Sequence, residues 1–357
     1  MIYASASPLN LRIYLEKRYQ FMLTFLYRRI LLAILTIFGV IVITFFLVRV
    51  VPSDPVRQWA GSRATPEQLE LARKELGLDK PIFIQFGIYF RGLLKGDLGY
   101  SHTSHRPVSE ELKNRFPATL ELIFIASFFA LLFGIPIGLM SANNKNSWID
   151  HLNRLISIGA ISIPTFWLAL ILQLIFFMIL KWLPSGGQLD MKIKLFQSVP
   201  HITGFMSLDC LITGNFAILG NLLRHMIMPV VCVGAYTFGL VSRMTRSALL
   251  EILGEDYVKA ALSYGLSERF VLFVYALKNS LGPTVTAATL ALGYAFMNTF
   301  LVESIFSWPG IGKYVADSIL ALNYPAIMGV TLLSTVFYII LNMIADIIVS
   351  ADPRVRL

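Results

Sequence analysis

Charge is what this 357-residue chain has least of: Asp, Glu, Lys and Arg together make up 14%, against roughly a quarter in water-soluble domains. Hydrophobic residues fill 56%, and mean hydropathy is +0.68. A soluble protein of this size must show water mostly polar side chains, so the composition excludes one and makes lipid the solvent for much of the chain. Cysteine is nearly absent. Cys210 and Cys232 supply neither a disulfide framework nor a zinc site. The five histidines, His102, His105, His151, His201 and His225, lack metal-ligand spacing, and neither His-Glu-x-x-His nor Gly-x-Ser-x-Gly occurs. Gly310-Ile311-Gly312-Lys313 lacks the earlier glycine of a phosphate loop, where Ser307 stands, and Tyr314 replaces the Ser/Thr that would hold magnesium. With Trp308-Pro309-Gly310 it reads as a turn between spans. These absences remove the usual equipment of an enzyme.

What is present is a set of long charge-free windows. Six are long enough to span a bilayer: Ile30–Val48, Leu122–Asn144, Leu155–Leu180, His225–Ser242, Asn279–Val302 and Ser318–Ala345. The fourth is the weakest, at 18 residues with Pro229 near its start. Pro136 and Pro164 also fall inside windows, which membrane helices tolerate when neighbours re-satisfy the freed carbonyls. The first apolar run is longer than a signal-peptide core and no small-x-small cleavage pattern follows it, so it is expected to stay as an anchor. Arg12, Lys17, Arg18, Arg28 and Arg29 precede it, and Arg354 and Arg356 end the chain. The positive-inside rule then puts both termini in the cytoplasm of an inner (plasma) membrane, as a multi-pass protein. On that topology the inner segments hold +6 of the +9 net charge. The basic balance is therefore topological rather than a nucleic-acid surface.

The expected fold is an all-α polytopic membrane protein with six transmembrane helices and an extracytoplasmic helical insertion after the first. Its parts are a cytoplasmic segment 1–29, the first span 30–50, the insertion 51–116, a five-helix core 117–350 and a cytoplasmic tail 351–357. In the insertion, Thr65-Pro66-Glu67-Gln68 reads as an N-cap, a first-turn proline and a capping-box glutamine. Leu69, Ala72 and Leu76 follow at helical spacing, and Gly77 is the stop. A second stretch places Phe83, Phe86, Phe90, Leu93 and Leu94 on one face, lying along the membrane interface or against the bundle.

The longest internal inner segment is Arg243–Lys278. Glu255 to Gly265 reads as a short helix: acids at the start suit the helix dipole, Gly265 takes the left-handed cap, and Ser267 caps a following helix. Val258, Ala261 and Leu262 form a narrow apolar face, which Ala260 and Ala261 keep shallow enough for a partner backbone to approach. A rigid helix between two spans passes a rigid-body movement into them. An alanine four residues before a glycine also fits a DNA-binding helix-turn-helix, but only Lys259, Arg269 and Lys278 are basic here and both ends are tied to the membrane. A plain surface loop is the bland alternative.

Lys259-Ala260-Ala261-x-x-x-Gly265 resembles the signature loop of the membrane subunits of ATP-binding-cassette importers, with lysine in place of the usual glutamate. The gap from Gly265 to Pro283 is longer than the general pattern, as in the peptide and nickel branch. Further matches run nearly the whole chain from Tyr27: Val51-Pro52-Ser53-Asp54-Pro55, Gly96-Asp97-Leu98-Gly99, Arg106-Pro107-Val108, Arg115 to Glu121, Ile163 to Trp167, Thr203-Gly204-Phe205, Ser242 to Arg246, Gly254 to Tyr257, Phe306 to Gly310 and Asp352 to Arg356. Together they are similar to the B-type permease subunit of dipeptide, oligopeptide and nickel importers. The resemblance implies a heterodimer with a second, homologous permease, two cytoplasmic ATPases that bind the ATP and magnesium, and an extracytoplasmic substrate-binding protein. It implies no cofactor in this chain. The coupling helix would lie near 256–266, with Asp256, Tyr257, Lys259, Ala260, Ala261, Gly265 and Leu266 meeting an ATPase.

Polar residues within spans are pathway candidates: Asn298 and Thr299 in the fifth span and Asn342 in the sixth. Interhelical hydrogen bonding is their structural alternative. Glu303, at an outer helix end, reads as solvated, and Arg49 and Asp346 lie at opposite ends of their spans and so are not expected to pair. Two other functions compete with the importer: an intramembrane hydrolase, which the missing nucleophile and metal motifs disfavour, and a stand-alone secondary transporter or channel. Nickel, glutathione and antimicrobial peptides are alternative cargoes of similar permeases, while Thr203-Gly204-Phe205 favours dipeptides.

Overall fold

The computed structural model describes residues 8–50, 64–75, 77–197 and 201–351. The Val51-to-Pro55 and Asp352-to-Arg356 motifs, and the side chains of Arg49, Ala72 and Leu76, lie outside the described residues. Among the described residues the regular structure is helical apart from one two-stranded hairpin, as the charge-free windows require of a polytopic membrane protein. In order, the elements are α1 (Pro8–Val50), α2 (Pro66–Glu75), α3 (Ile82–Leu94), β1 (Tyr100–Ser101), β2 (Arg106–Pro107), α4 (Val108–Asn143), α5 (Trp148–Ser162) and α6 (Thr165–Ile179). They continue as α7 (Met191–Phe196), α8 (Met206–Ile212), α9 (Phe216–Leu253), α10 (Asp256–Ser263), α11 (Glu268–Ile305), α12 (Ile311–Leu320) and α13 (Tyr324–Ala351). β1 and β2 pair antiparallel, Tyr100 opposite Pro107.

Among the described residues five helices are individually long and apolar enough to cross a membrane, and the third window is filled by a bent pair, α5 and α6, that together make up to a sixth span. The window Leu155–Leu180 is not one helix. Pro164 cannot continue α5, and the chain turns by 107° between α5 and α6. The sixth window also begins too early: Ser318 belongs to α12, and the span proper starts at Tyr324 after a turn with Leu322 at φ 53°. The fourth window, weakest in the sequence, is the middle of the 38-residue α9. At 1.5 Å per residue such a helix runs about 57 Å, nearly twice the hydrocarbon thickness, so its charged ends project beyond it. α4 likewise begins at Val108, within the segment expected to be insertion, and carries Glu110, Glu111, Lys113 and Arg115.

Close helix crossings form the bundle centre. A Cβ on Gly138 of α4 would come within 2.6 Å of the Ser242 carbonyl of α9, and one on Gly239 of α9 within 2.7 Å of the Ser157 carbonyl of α5. Such small-residue contacts replace the hydrophobic drive that lipid cannot provide. Arg29 of α1 donates to Asp346 of α13 at 2.8 Å. The acid that sequence spacing separated from Arg49 thus pairs with the arginine at the other end of the same span, because α1 and α13 run antiparallel.

The insertion helices follow their local signals. Thr65 N–H donates to Gln68 Oε1 at 2.9 Å and Gln68 N–H to Thr65 Oγ1 at 3.3 Å, the reciprocal capping box, and Gly77 is left-handed at φ 63°. α3 packs its rings on α1, Phe86 and Tyr89 on Phe45 and Phe90 on Phe38. Its packed face is rotated from the expected one: Phe83 and Leu94 point away, and Tyr89 joins instead.

Candidate functional site

The segment between α9 and α11 is built by three successive stops. Gly254 closes α9, its N–H donating to Glu251 and Ile252 carbonyls. Glu255 is extended and α10 starts at Asp256, an acid in the first turn of a helix. α10 ends in a Schellman motif: Leu266 N–H donates to Ala261 O at 3.3 Å, Gly265 N–H to Leu262 O at 2.9 Å, and Gly265 is left-handed at φ 83°. Ser267 then caps α11, accepting from Phe270 N–H at 3.4 Å. A turn of π-helix over Val271–Leu277 follows. The local signals read from sequence are therefore each realised in backbone geometry.

The apolar face is turned the other way from expectation. Val258 and Ala261 are buried against this chain's own Val271, Ile252 and Leu253. Burying them is what holds so short a helix to the bundle, because eight residues are too few for helix propensity to do so. Ala261 is thus a support rather than a contact surface. Asp256, Tyr257, Lys259, Ala260, Gly265 and Leu266 are exposed, as are Leu262 and Tyr264, the last at 88%. Tyr257 is also a tether, its hydroxyl accepting from Asn279 Nδ2 at 3.0 Å. Lys259 reaches Asp256 at 3.2 Å, but both are solvated and the pair contributes little. Tyr264 went unremarked in the sequence. The signal was there, since an aromatic immediately before a left-handed glycine has no turn of helix to cover it.

The pathway candidates do not form a site. Asn298 Nδ2 donates to Tyr294 O at 2.9 Å and Thr299 Oγ1 to Ala295 O at 2.6 Å, both within α11 and neither between helices. Thr299 is buried and borders a cavity of about 130 Å³ shared with Thr119, Glu303 and Ser334. Asn298 does not border it. Asn342 lies half-buried on α13 and does not line it either.

Glu303 is fully buried, not solvated. Its Oε2 accepts from Gly312 N–H at 2.7 Å and Lys313 N–H at 3.2 Å, so the carboxylate caps the first turn of α12. A Cβ on Gly310 would strike that carboxylate, which is why the turn after Trp308 is glycine-rich without binding phosphate. Trp308 is buried, its Nε1 donating to Ala118 O at 3.0 Å, and Ile311 N–H donates to Thr119 Oγ1 at 2.9 Å. Glu121 accepts from Ser207 N–H at 2.6 Å, and Gly204 packs its left-handed backbone on Pro117. Asp209 gathers the Thr203 hydroxyl at 2.6 Å and the Ile202, Thr203 and Gly204 N–H groups. Burial pushes its carboxyl up, but these donors outweigh it and hold it below the ordinary carboxylate value. Motifs scattered over 190 positions of sequence therefore meet at one end of the bundle, opposite α10.

Among the described residues no group of three or more His, Cys, Asp or Glu stands ready for a metal. At the α10 end, the largest feature that motif reading missed is a buried carboxylate, Asp150 of α5, gripped by Arg246 of α9. Arg246 belonged to a recognised motif, but nothing in the spacing paired it with Asp150.

Residues 134–357 match the family described as binding-protein-dependent transport system inner membrane component, and residues 22–123 match its N-terminal companion. The chain is 43% identical over 90% of its length to the "probable D,D-dipeptide transport system permease protein" of Escherichia coli (strain K12), covering 94% of that protein. It is 41% identical over 94% of its length to the di/tripeptide transport system permease protein of Pseudomonas aeruginosa (strain UCBPP-PA14), covering 99% of it. A glutathione transport system permease protein of Salmonella paratyphi A (strain ATCC 9150 / SARB42) is 34% identical over 94% of the chain and 99% of that protein. With matches that run from residue 22 to residue 357 and relatives covered almost end to end, the chain belongs to the binding-protein-dependent inner-membrane permeases of ABC importers.

Proposed function

We propose that this chain is one of two permease subunits of a di- or oligopeptide importer, and that α10 is its coupling helix, seated on a cytoplasmic ATPase. The observation that carries the reading is the construction of α10: anchored inward by Val258 and Ala261, it leaves Tyr264, Leu262 and Leu266 exposed for a partner. The chain holds no nucleotide motif of its own, and its membership of a binding-protein-dependent family supports ATPase subunits as the source of energy. A second, homologous permease and an extracytoplasmic binding protein complete the assembly. Basic flanks put the N-terminus in the cytoplasm, and the Arg29–Asp346 pair then brings the C-terminal end of α13 to the same side as α10.

ATP-driven closure of the ATPases pushes α10, rocks the helices joined to it and opens the outer mouth for cargo delivered by the binding protein. The peptide assignment rests on the relatives with higher identity, which are peptide permeases by name. Uptake of a labelled dipeptide in a strain lacking this chain, with and without the chain restored, tests it. Uptake of glutathione alone, or of nickel alone, would reassign the cargo. Flux through the purified chain without ATPases would instead make it a stand-alone transporter.

A further inference from the structure

We infer that Asp150 and Arg246 are positioning residues that latch the inner ends of α4, α5 and α9 into one body, so that displacement of α10 is delivered to the broken span rather than lost by sliding. The inference rests on α10 being the ATPase contact.

Asp150 is completely buried. Its Oδ1 accepts from Arg246 Nε at 2.5 Å and Ser141 Oγ at 2.7 Å, and its Oδ2 from Arg246 Nη2 at 2.9 Å and the Asn146 N–H at 2.9 Å. Arg154 adds a longer contact at 3.5 Å. One carboxylate thus holds the end of α4, the α4–α5 loop, α5 and α9. Beside it, Asn153 Oδ1 accepts hydroxyls from Ser157 and from Ser242 of α9.

A buried ion pair is a poor source of stability, since desolvation offsets its attraction and apolar replacements are often as stable or more so. What it does supply is register, because a two-pronged guanidinium–carboxylate contact has one geometry. At Gly138 and Gly239 the helices approach to backbone distance, with Thr245 set against the first notch and Ile161 against the second. Those are small apolar contacts, and the ion pair adds to them a directional tie that joins α4, α5 and α9 at one point. Arg246 sits two turns before the end of α9, and Ile252 and Leu253 of its last turn carry α10. Movement of α10 therefore reaches Arg246 through continuous helix, crosses to Asp150, and passes along α5 to the 107° break before α6.

The test uses the full importer, with second permease, ATPases and binding protein, in lipid nanodiscs and proteoliposomes. The double variant Asp150→Leu/Arg246→Met removes the latch without leaving a lone buried charge. Its melting temperature is expected to match or exceed the unmodified importer, while dipeptide transported per ATP hydrolysed falls about tenfold, the scale of an ordinary coupling energy. The charge-reversed pair Asp150→Arg/Arg246→Asp is expected to recover part of that ratio relative to either single change.

Spin labels at Lys145→Cys and Ser263→Cys, both exposed positions, report the mechanics without reference to cargo; the native Cys210 and Cys232 are buried. Their separation is expected to hold constant between nucleotide-free and vanadate-trapped importer, and to change in the Leu/Met variant. A variant that keeps its transport-to-ATP ratio and constant separation overturns the latch, as does a separation that changes in the unmodified importer. A chain that never assembles with ATPases overturns the coupling reading itself, and the latch with it.

Discussion

The two ends of the bundle are built on opposite plans. At the Trp308 end, backbone meets backbone and buried side chains reach carbonyls and N–H groups of distant segments: Trp308 to Ala118, Ile311 to Thr119, Gly187 N–H to Phe306 O at 2.6 Å. At the α10 end an eight-residue helix rests through Val258 and Ala261 on Val271, Ile252 and Leu253, with Tyr257 and the following Tyr264 exposed. The first plan specifies a single arrangement. The second leaves a surface bare and a support shallow, which suits a part that must be gripped and moved.

Substitutions should separate the two ends, and the largest effects belong to the Trp308 end. Gly310→Val drives a side chain into the Glu303 carboxylate, and is expected to cost more than about 4 kcal/mol and abolish folded protein in a detergent-stability assay. Trp308→Ala should cost about 3–5 kcal/mol by the same assay, the range for removing a large buried ring. Ala261→Leu overpacks the support of α10 and is expected to cost about 1–3 kcal/mol, lowering ATPase stimulation more than overall melting temperature. Gly265→Ala meets no neighbouring atom within 4 Å, so its penalty is the left-handed backbone alone, about 1–2 kcal/mol, seen as faster hydrogen exchange over 256–266 and weaker ATPase capture. Tyr264→Ala comes last for stability, within about 0.5 kcal/mol of unchanged, yet co-purification with the ATPases should drop sharply. Equal melting losses for Tyr264→Ala and Trp308→Ala would erase the contrast between the ends.

Sequence alone located what depends on local chemistry. The Thr65–Gln68 capping box, the Gly77 stop, the Schellman turn at Gly265 and the Ser267 cap are decided within a few residues, and each formed where its pattern stood. Charge-free windows found the spans but not their ends, since α4 and α9 carry charge well past the lipid-sized middle. Facing was harder. Val258 and Ala261 make the same periodic stripe whether it looks outward or inward, and only the position of Val271 decides. Partners far apart in sequence were invisible: nothing near Glu303 announces that the α12 N–H groups fold back on it, and nothing near Asp150 announces Arg246.

The Arg29–Asp346 pair joins residues 317 positions apart, the first span to the last. A ribosome delivers Arg29 to the membrane long before Asp346 exists, and the first span must wait in lipid while five more are threaded beside it. Such a contact closes only on a finished chain. A protein truncated before Asp346 could still pack α3 on α1 through Phe86, Tyr89 and Phe90, yet it would lack this tie between its first span and its last.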